Sequence, residues 1–381
     1  MEVAHKPHMD RLAGKGLCGM VKTTPDRMSP GSDICNLSVM GYAPEQNYTG
    51  RSPLEAVSIG IAFGPNDLAT RCNFVTLSDE AAFAEKRLVD YCADDISTEE
   101  ADELIGFLNR QLLEGSGHQL YCGVSYRHCL LSPDYQAPMG ATPPHDITGQ
   151  RVADYLPENA DFLALMEKAA ALLNDHPVNQ KRRAEGKQPA NGIWLWGSGY
   201  KKELEPFRQK TGLKGCVISA VDLIKGIGRL AGMEVCRVAG ATGYIDTNFR
   251  GKAEAAIQAM KDGYDYIYLH VEAPDECGHR FEVDNKVKAI ELIDEHILGP
   301  LLEALEAYDD YRILIMPDHA TPLRTRTHAA NPVPLVLYKK GMDLQTGITC
   351  FSEETARNTN FIVQKGCKLL ELLTNGAHCE E

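Results

Sequence analysis

Basic residues are in short supply in this 381-residue chain: 39 Lys and Arg stand against 53 Asp and Glu, a formal charge of −14. A field of that sign excludes tracking of a nucleic-acid backbone, or docking on an anionic membrane, as the main role. An anionic small molecule would need a local basic pocket. Also lacking is any apolar run near the roughly 20 residues that cross a bilayer, so no membrane association is expected. The 12 cysteines form no CxxC pair and keep no regular spacing. With no secretory apolar stretch read at the amino end, they read as reduced cytoplasmic thiols, mostly small core hydrophobes. A phosphate-cradling GxxxxGK[ST] is missing too; "GSGYKKELEPF", "GIGRLAG" and "GATG" read as turns.

What is present is core-forming material. Hydrophobic residues make up 44%, and the length suits two to three domains or one elaborated domain. Helix and strand signals alternate, as in an α/β protein with a largely parallel sheet. "HMDRLAGKGLCGMVKTT" reads as a short helix, a Gly stop and a strand, and "SPLEAVSIGIAF" as helical. "CNFVTLS" and "YCGVSYRHCLL" read as strands around the acidic helix "STEEADELIGFLNRQLLEG", and "NADFLALMEKAAALLNDH" as an amphipathic helix with an Asn cap. The polar, basic "PVNQKRRAEGKQPANG" reads as a linker or an exposed excursion, and as a candidate domain boundary. Beyond it "GIWLWG", "GCVIS", "MEVCRVAG", "YDYIYLHV", "RILIMPD" and "VPLVLY" alternate with helical segments and predict a doubly wound sheet.

Two strand ends carry the chemistry. "HVEAPDECGH", residues 270–279, crowds two histidines, three carboxylates and a cysteine after an apolar run, and "RILIMPDHATPLRTRTH" repeats the plan with Asp318, His319 and His328. Ligands of such sheets sit outside the carboxyl ends of the strands, where loops converge. Pro274 starts a turn in which the i, i+4 spacing puts Asp275 and His279 on one face. Mixed carboxylate and imidazole donors suit Mn²⁺, Zn²⁺, Fe²⁺ or Mg²⁺, and paired ions are common where phosphoryl groups move. Each Asp/His pair alone also reads as a helix cap or a hydrogen-bonded loop. His270 and Glu272 read as structural. Ser32, between Gly31 and Asp33 after a Pro-Gly turn, reads on its own first as a helix cap and only second as a hydroxyl that accepts a phosphoryl group.

The segments "MDRLAGKG", "PGSDICNLSVMGYAP", "YTGRSPLEA", "RCNFVTL", "YRHCLL", "TPPHDITG", "VISAVDLIKGIG", "HVEAPDECGH", "PDHATP" and "THAANPVPLVLY" together resemble the archaeal-type cofactor-independent phosphoglycerate mutases of the alkaline phosphatase superfamily. The resemblance runs over nearly the whole chain. It implies an alkaline-phosphatase-like core, residues 1–63 and 190–381, interrupted by an inserted α+β cap domain at 64–189. It implies two divalent ions, with Mn²⁺ expected and Mg²⁺, Zn²⁺ or Co²⁺ as alternatives, and no bisphosphoglycerate. Carried over by position, Ser32 is the nucleophile and also a metal ligand. Asp318 and His319 hold the ion beside Ser32, and Asp275, His279 and His328 hold the other.

The implied reaction moves a phosphoryl group from 3-phosphoglycerate to Ser32 and back to the 2-hydroxyl, inside a closed cap that excludes water. Arg71, Arg127 and Lys225 are the expected contacts to the small phosphorylated substrate. Lys225 also reads as a surface lysine. His128, His145 and Asp146 read as well as turn or strand-edge groups. Family members open with a strand ending in an Asp-Gly-Met type motif whose aspartate completes the metal site beside the serine. The chain starts beyond that point, so the first strand is expected to be missing. The alternatives are a homoserine kinase-like phosphotransferase of the same family and an N-terminally truncated inactive member.

Overall fold

The computed structural model describes residues 1–136 and 141–375. In chain order the strands are β1 (Leu17–Val21), β2 (Leu68–Leu77), β3 (Leu88–Asp90), β4 (Gln119–Val124), β5 (Arg127–Ser132), β6 (Gly192–Tyr200), β7 (Gly215–Ile218), β8 (Glu234–Cys236), β9 (Tyr266–Leu269), β10 (Arg312–Ile315), β11 (Val333–Lys339) and β12 (Ile362–Val363). The chain divides into two compact units: Met1–Tyr48 with the chain from Leu204 onward, and Thr49–Glu203.

In the larger unit β10, β11, β1 and β12 lie side by side in that order, β11 antiparallel to both neighbours and β12 parallel to β1. Alternation along the strands makes two apolar faces. Cys18, Met20 and Val336 pack against Met9 and Leu12 of the helix Pro7–Lys15 and Leu302 of the helix Gly299–Leu305. Val21, Val333, Leu335 and Leu337 pack on the other side with Val39 and Leu369. Helices on both faces explain why these strands read as continuous apolar runs. Gly16 ends the first helix where the chain turns under β11; a Cβ there would meet the Leu337 carbonyl oxygen at 2.5 Å.

The single doubly wound sheet expected for the carboxyl half divides in two. β7 lies between β8 and β9 in a separate three-stranded parallel sheet. Tyr268 of β9 and Leu314 of β10 pack on the same apolar cluster as Val333 and Leu335. Among the described residues no ladder joins the two strands, and each is the edge of its own sheet. β6, expected beside them, pairs with β2 from Leu68 to Val75 instead.

In the smaller unit β2 is central: β5 and β6 flank it, β4 lies beyond β5, and β3 joins at its carboxyl end, all antiparallel. Leu104 and Leu108 of the helix Thr98–Leu108, and Phe162 and Met166 of the helix Ala160–Leu173, bury with Phe74 and Trp194. Asn159 caps the second helix, accepting from the backbone of Asp161 and Phe162. The stretch read as one strand, "YCGVSYRHCLL", is the β4–β5 hairpin, reversing at Ser125 with a left-handed φ of 55°. The units part between Tyr48 and Thr49 and between Glu203 and Leu204; the boundaries expected for the inserted cap are 63/64 and 189/190. No helix among the described residues is long and apolar enough to cross a membrane.

"PVNQKRRAEGKQPANG" is not a linker. Pro177–Ala184 is a helix whose inward face carries Val178, Asn179 and Arg182, too polar to read as a core stripe. Arg182 is 1% exposed. It donates to Gln188 O at 2.9 Å, Ala93 O at 2.6 Å and the Glu100 carboxylate at 2.5 Å. Arg182→Met should therefore lower unfolding stability in urea by roughly 1 to 3 kcal/mol, the cost of leaving the Ala93 and Gln188 carbonyls without their donor and the part-exposed Glu100 without its partner. A loss below about 1 kcal/mol would show that the network is replaceable.

His128 on β5 offers a second test. Its Nε2 is buried without a partner, and burial, with a smaller contribution from Arg127, pushes its pKa down to about 3. The unfolded ring takes up a proton near pH 6.5, so His128 contributes stability that is whole above that pH and is lost as the pH falls toward 3. His128→Phe should flatten the stability profile between pH 6 and 4 by up to about 1.4 kcal/mol per unit. An unchanged slope would refute the assignment.

Candidate metal centre

β9 leads into the helix Ala273–His279, which has a proline in its first turn, and Asp275 and Glu276 there suit the positive helix end. One turn separates the two donors, and His279 Nε2 lies 3.2 Å from Asp275 Oδ2. β10 leads to Asp318 and His319, after which the chain makes a loop and returns. Thr325 N and Arg326 N both bond to Pro322 O, at 3.1 and 2.9 Å, and Ala329 N bonds to Ala320 O at 2.8 Å. That closure brings His328 beside His319, ring centroids 3.9 Å apart.

The two loops meet. His328 Nε2 lies 3.5 Å from Asp275 Oδ1 and 3.0 Å from His279 Nε2. His279 Nδ1 donates to Arg326 O at 2.8 Å, which leaves its Nε2 lone pair facing His328. Donor atoms of Asp275, His319 and His328 all lie within 4.8 Å of one another. Imidazole nitrogens and a carboxylate converging this closely fit a divalent cation of the borderline class.

The third segment is the helix Ser32–Val39. Gly31 takes its N-cap position, and the Ser32 hydroxyl is hydrogen-bonded to His319 Nε2 at 3.0 Å. Asp318 Oδ2 lies 3.4 Å from the same nitrogen. His319 thus stands between the two groups expected to hold separate ions, its Nδ1 4.0 Å from Asp275 Oδ1.

Supporting groups were not singled out from the sequence. Asn36, one turn after Ser32, donates to Ser32 O and to Asp318 Oδ2, each at 2.7 Å, and accepts from the Tyr268 hydroxyl at 2.5 Å. Thr321 Oγ1 donates to Asp275 Oδ1 and lies 3.3 Å from His319 Nδ1. Lys286 Nζ ties the two donor-bearing loops through Pro274 O at 2.8 Å and Thr321 O at 3.2 Å. It passes so close to Gly278 that a Cβ there would meet Nζ at 2.8 Å.

The electrostatics follow from these contacts. Burial opposes ionisation of Asp275, but hydrogen bonds from His328 and Thr321 outweigh it and hold the carboxyl well below its usual range. Burial lowers His328 as well, yet its bond to Asp275 wins and its pKa rises. Burial pushes His319 and His270 down. His270 pairs with Ser219 at 3.2 Å and with Glu272 at 3.5 Å, which fits their structural reading.

Ser32, Asp275, His279, Asp318, His319 and His328 come together in the larger unit. The three expected substrate contacts have their closest polar partners elsewhere. Arg71, on β2 of the smaller unit, lies 3.9 Å over the Trp196 ring and 3.0 Å from Glu55, and burial lowers its pKa to about 10. Arg127 begins β5, exposed, 5.3 Å over Tyr126. Lys225 pairs with Asp222 at 2.7 Å on its own helix, Asp222–Leu230. His145 lies 3.7 Å from Asp146, and its ring is edge-on to Tyr91 and Trp196.

The family described as 2,3-bisphosphoglycerate-independent phosphoglycerate mutase matches residues 13–179. A Methanothermobacter thermautotrophicus protein named 2,3-bisphosphoglycerate-independent phosphoglycerate mutase 2 is 45% identical, over 99% of this chain and 92% of its own. A solved Pyrococcus horikoshii protein superposes with a TM-score of 0.80 at 28% identity, covering 98% of this chain and 90% of that one. The cofactor-independent phosphoglycerate mutase of Thermoplasma acidophilum gives 0.63 at 25% identity, covering 98% and 92%.

Asp275→Asn keeps the side-chain shape and removes the charge. It should weaken Mn²⁺ binding to metal-stripped protein by more than about 100-fold in calorimetric titration. An unchanged isotherm would mean that the cluster does not hold the ion.

Proposed function

The chain belongs to the 2,3-bisphosphoglycerate-independent phosphoglycerate mutases, a family of isomerases, and on that premise we propose that it interconverts 3- and 2-phosphoglycerate through phosphorylated Ser32. The observation that carries the reading is the Ser32–His319 contact of 3.0 Å, set in a cluster of convergent metal donors. We further infer an alkaline-phosphatase-like core, with the unit Thr49–Glu203 serving as the cap.

In this reading Ser32 Oγ attacks phosphorus, the bond from phosphorus to the 3-oxygen breaks, and that oxygen leaves with a proton. The glycerate turns within the closed site, its 2-oxygen attacks the phosphoserine, and Ser32 is regenerated. Two divalent ions, Mn²⁺ by expectation, would lower the pKa of the Ser32 hydroxyl and neutralise the phosphoryl oxygens. Asp318 and His319, with Ser32, would hold one; Asp275, His279 and His328 would hold the other. Asn36 keeps Asp318 aimed at the start of the Ser32 helix. Arg71, Arg127 and Lys225 are assigned to the substrate's carboxylate and phosphate, whose charges suit guanidinium forks and an ammonium.

Ser32→Ala should abolish mutase turnover, and acid-quenched wild-type protein should yield a phosphopeptide containing Ser32. Chelator should stop turnover and Mn²⁺ should restore it. A Ser32→Ala variant with wild-type activity, or a metal-loaded wild type that phosphorylates homoserine from ATP and leaves phosphoglycerate untouched, would sink this reading.

A further inference from the structure

We propose that Arg326 and Phe281 are positioning residues for His279, an inference that rests on the metal-centre reading above. The first observation is the hydrogen bond of 2.8 Å between His279 Nδ1 and Arg326 O. A carbonyl only accepts, so Nδ1 carries a proton, and Nε2 is the nitrogen that a metal ion would take, directed toward His328 and Asp275. The position of one backbone carbonyl therefore sets the tautomer and the aim of a ligand.

The second observation is how that carbonyl is held. Arg326 has φ 55° and Phe281 has φ 59°, left-handed conformations that residues with a Cβ rarely adopt. Phe281 sits just past the helix Ala273–His279, where Phe281 N bonds to Gly278 O at 3.2 Å and Glu282 N to Cys277 O at 2.9 Å. This is the helix-ending turn that glycine usually occupies. Here a phenyl ring stands instead, 47% exposed, and the Arg326 guanidinium lies over it, 4.7 Å from the centroid.

A ring so exposed gains little from burial, so core packing does not account for a bulky residue in this turn. The cation–π contact does, because it joins the end of one ligand helix to the far side of the 320–329 loop. It runs alongside the His279–Arg326 hydrogen bond and fixes the carbonyl relative to the ring. Two residues in the same unfavoured conformation thus meet where a ligand's second nitrogen is satisfied, a place where backbone strain is retained for function.

Calorimetric titration of Mn²⁺ into metal-stripped protein, together with the His279 ring nitrogen shifts read by NMR on the metal-free protein, tests this. Phe281→Gly and Arg326→Gly relieve the backbone strain, so thermal stability should hold or rise. Mn²⁺ affinity should nevertheless fall by about 10- to 100-fold and the His279 tautomer should become mixed. Phe281→Tyr and Arg326→Lys, which keep the ring and the cation, should restore both. Wild-type affinity and tautomer in the two glycine variants would overturn the inference alone. A wild-type protein that binds no Mn²⁺ would overturn the metal-centre reading and this inference with it.

Discussion

Two imidazole nitrogens brought within hydrogen-bond distance need a proton or a cation between them, and such a pair lies in the donor cluster of the larger unit. His279 and His328 face each other Nε2 to Nε2 at 3.0 Å, with the Asp275 carboxylate beside both. Only a shared proton or a cation makes that arrangement favourable, and the surroundings are built to hold the donors in place for one. Thr321 occupies an oxygen of Asp275, Asn36 an oxygen of Asp318, and Lys286 clamps the backbones of both ligand loops. Orientation by outer partners is what allows a half-buried donor set to keep its geometry.

His319 links this cluster to Ser32. One edge of its buried ring reaches the serine hydroxyl at 3.0 Å, and the other lies 3.3 Å from Thr321, which itself bonds Asp275. An imidazole is planar and rigid, so the spacing between the hydroxyl and the Asp275 side of the cluster is fixed by one ring rather than by flexible side chains. The Tyr268–Asn36–Asp318 chain supplies the second link, running from β9 to the Ser32 helix and on to the end of β10. Strand ends from separate sheets are thereby registered by polar side chains, where among the described residues no backbone ladder joins them.

The proposed ligands are legible because their signals are local. Asp275 and His279 lie one helical turn apart behind a proline, and Asp318, His319 and His328 follow an apolar strand. Their partners left little trace. Asn36 lies in "SDICNLSV", six of whose eight residues are buried, so nothing in the local pattern separates it from core residues. Thr321 and Lys286 acquire meaning only when two loops meet. The same distinction holds for the fold. The Asn159 cap could be read from the sequence, whereas the helix Pro177–Ala184 could not, because its inward arginine finds its partners at Ala93, Glu100 and Gln188. β6 carries a generic apolar run, and only its pairing with β2 assigns it to a unit.

The shortage of positive charge bears on how an anionic substrate would be chosen. In a chain of net charge −14, two of the three cations proposed to meet the substrate already contact carboxylates: Arg71 with Glu55 and Lys225 with Asp222. Such pairing holds each side chain in a narrow set of rotamers before any ligand arrives. An incoming carboxylate or phosphate then shares or replaces a carboxylate that the cation already contacts, an exchange of like for like that gains little net energy. Geometry discriminates in such an exchange, because a planar fork rewards only an anion whose oxygens match it. Cations held this way contribute orientation more than affinity, and orientation is the quantity that a transfer between neighbouring hydroxyls of one molecule depends on.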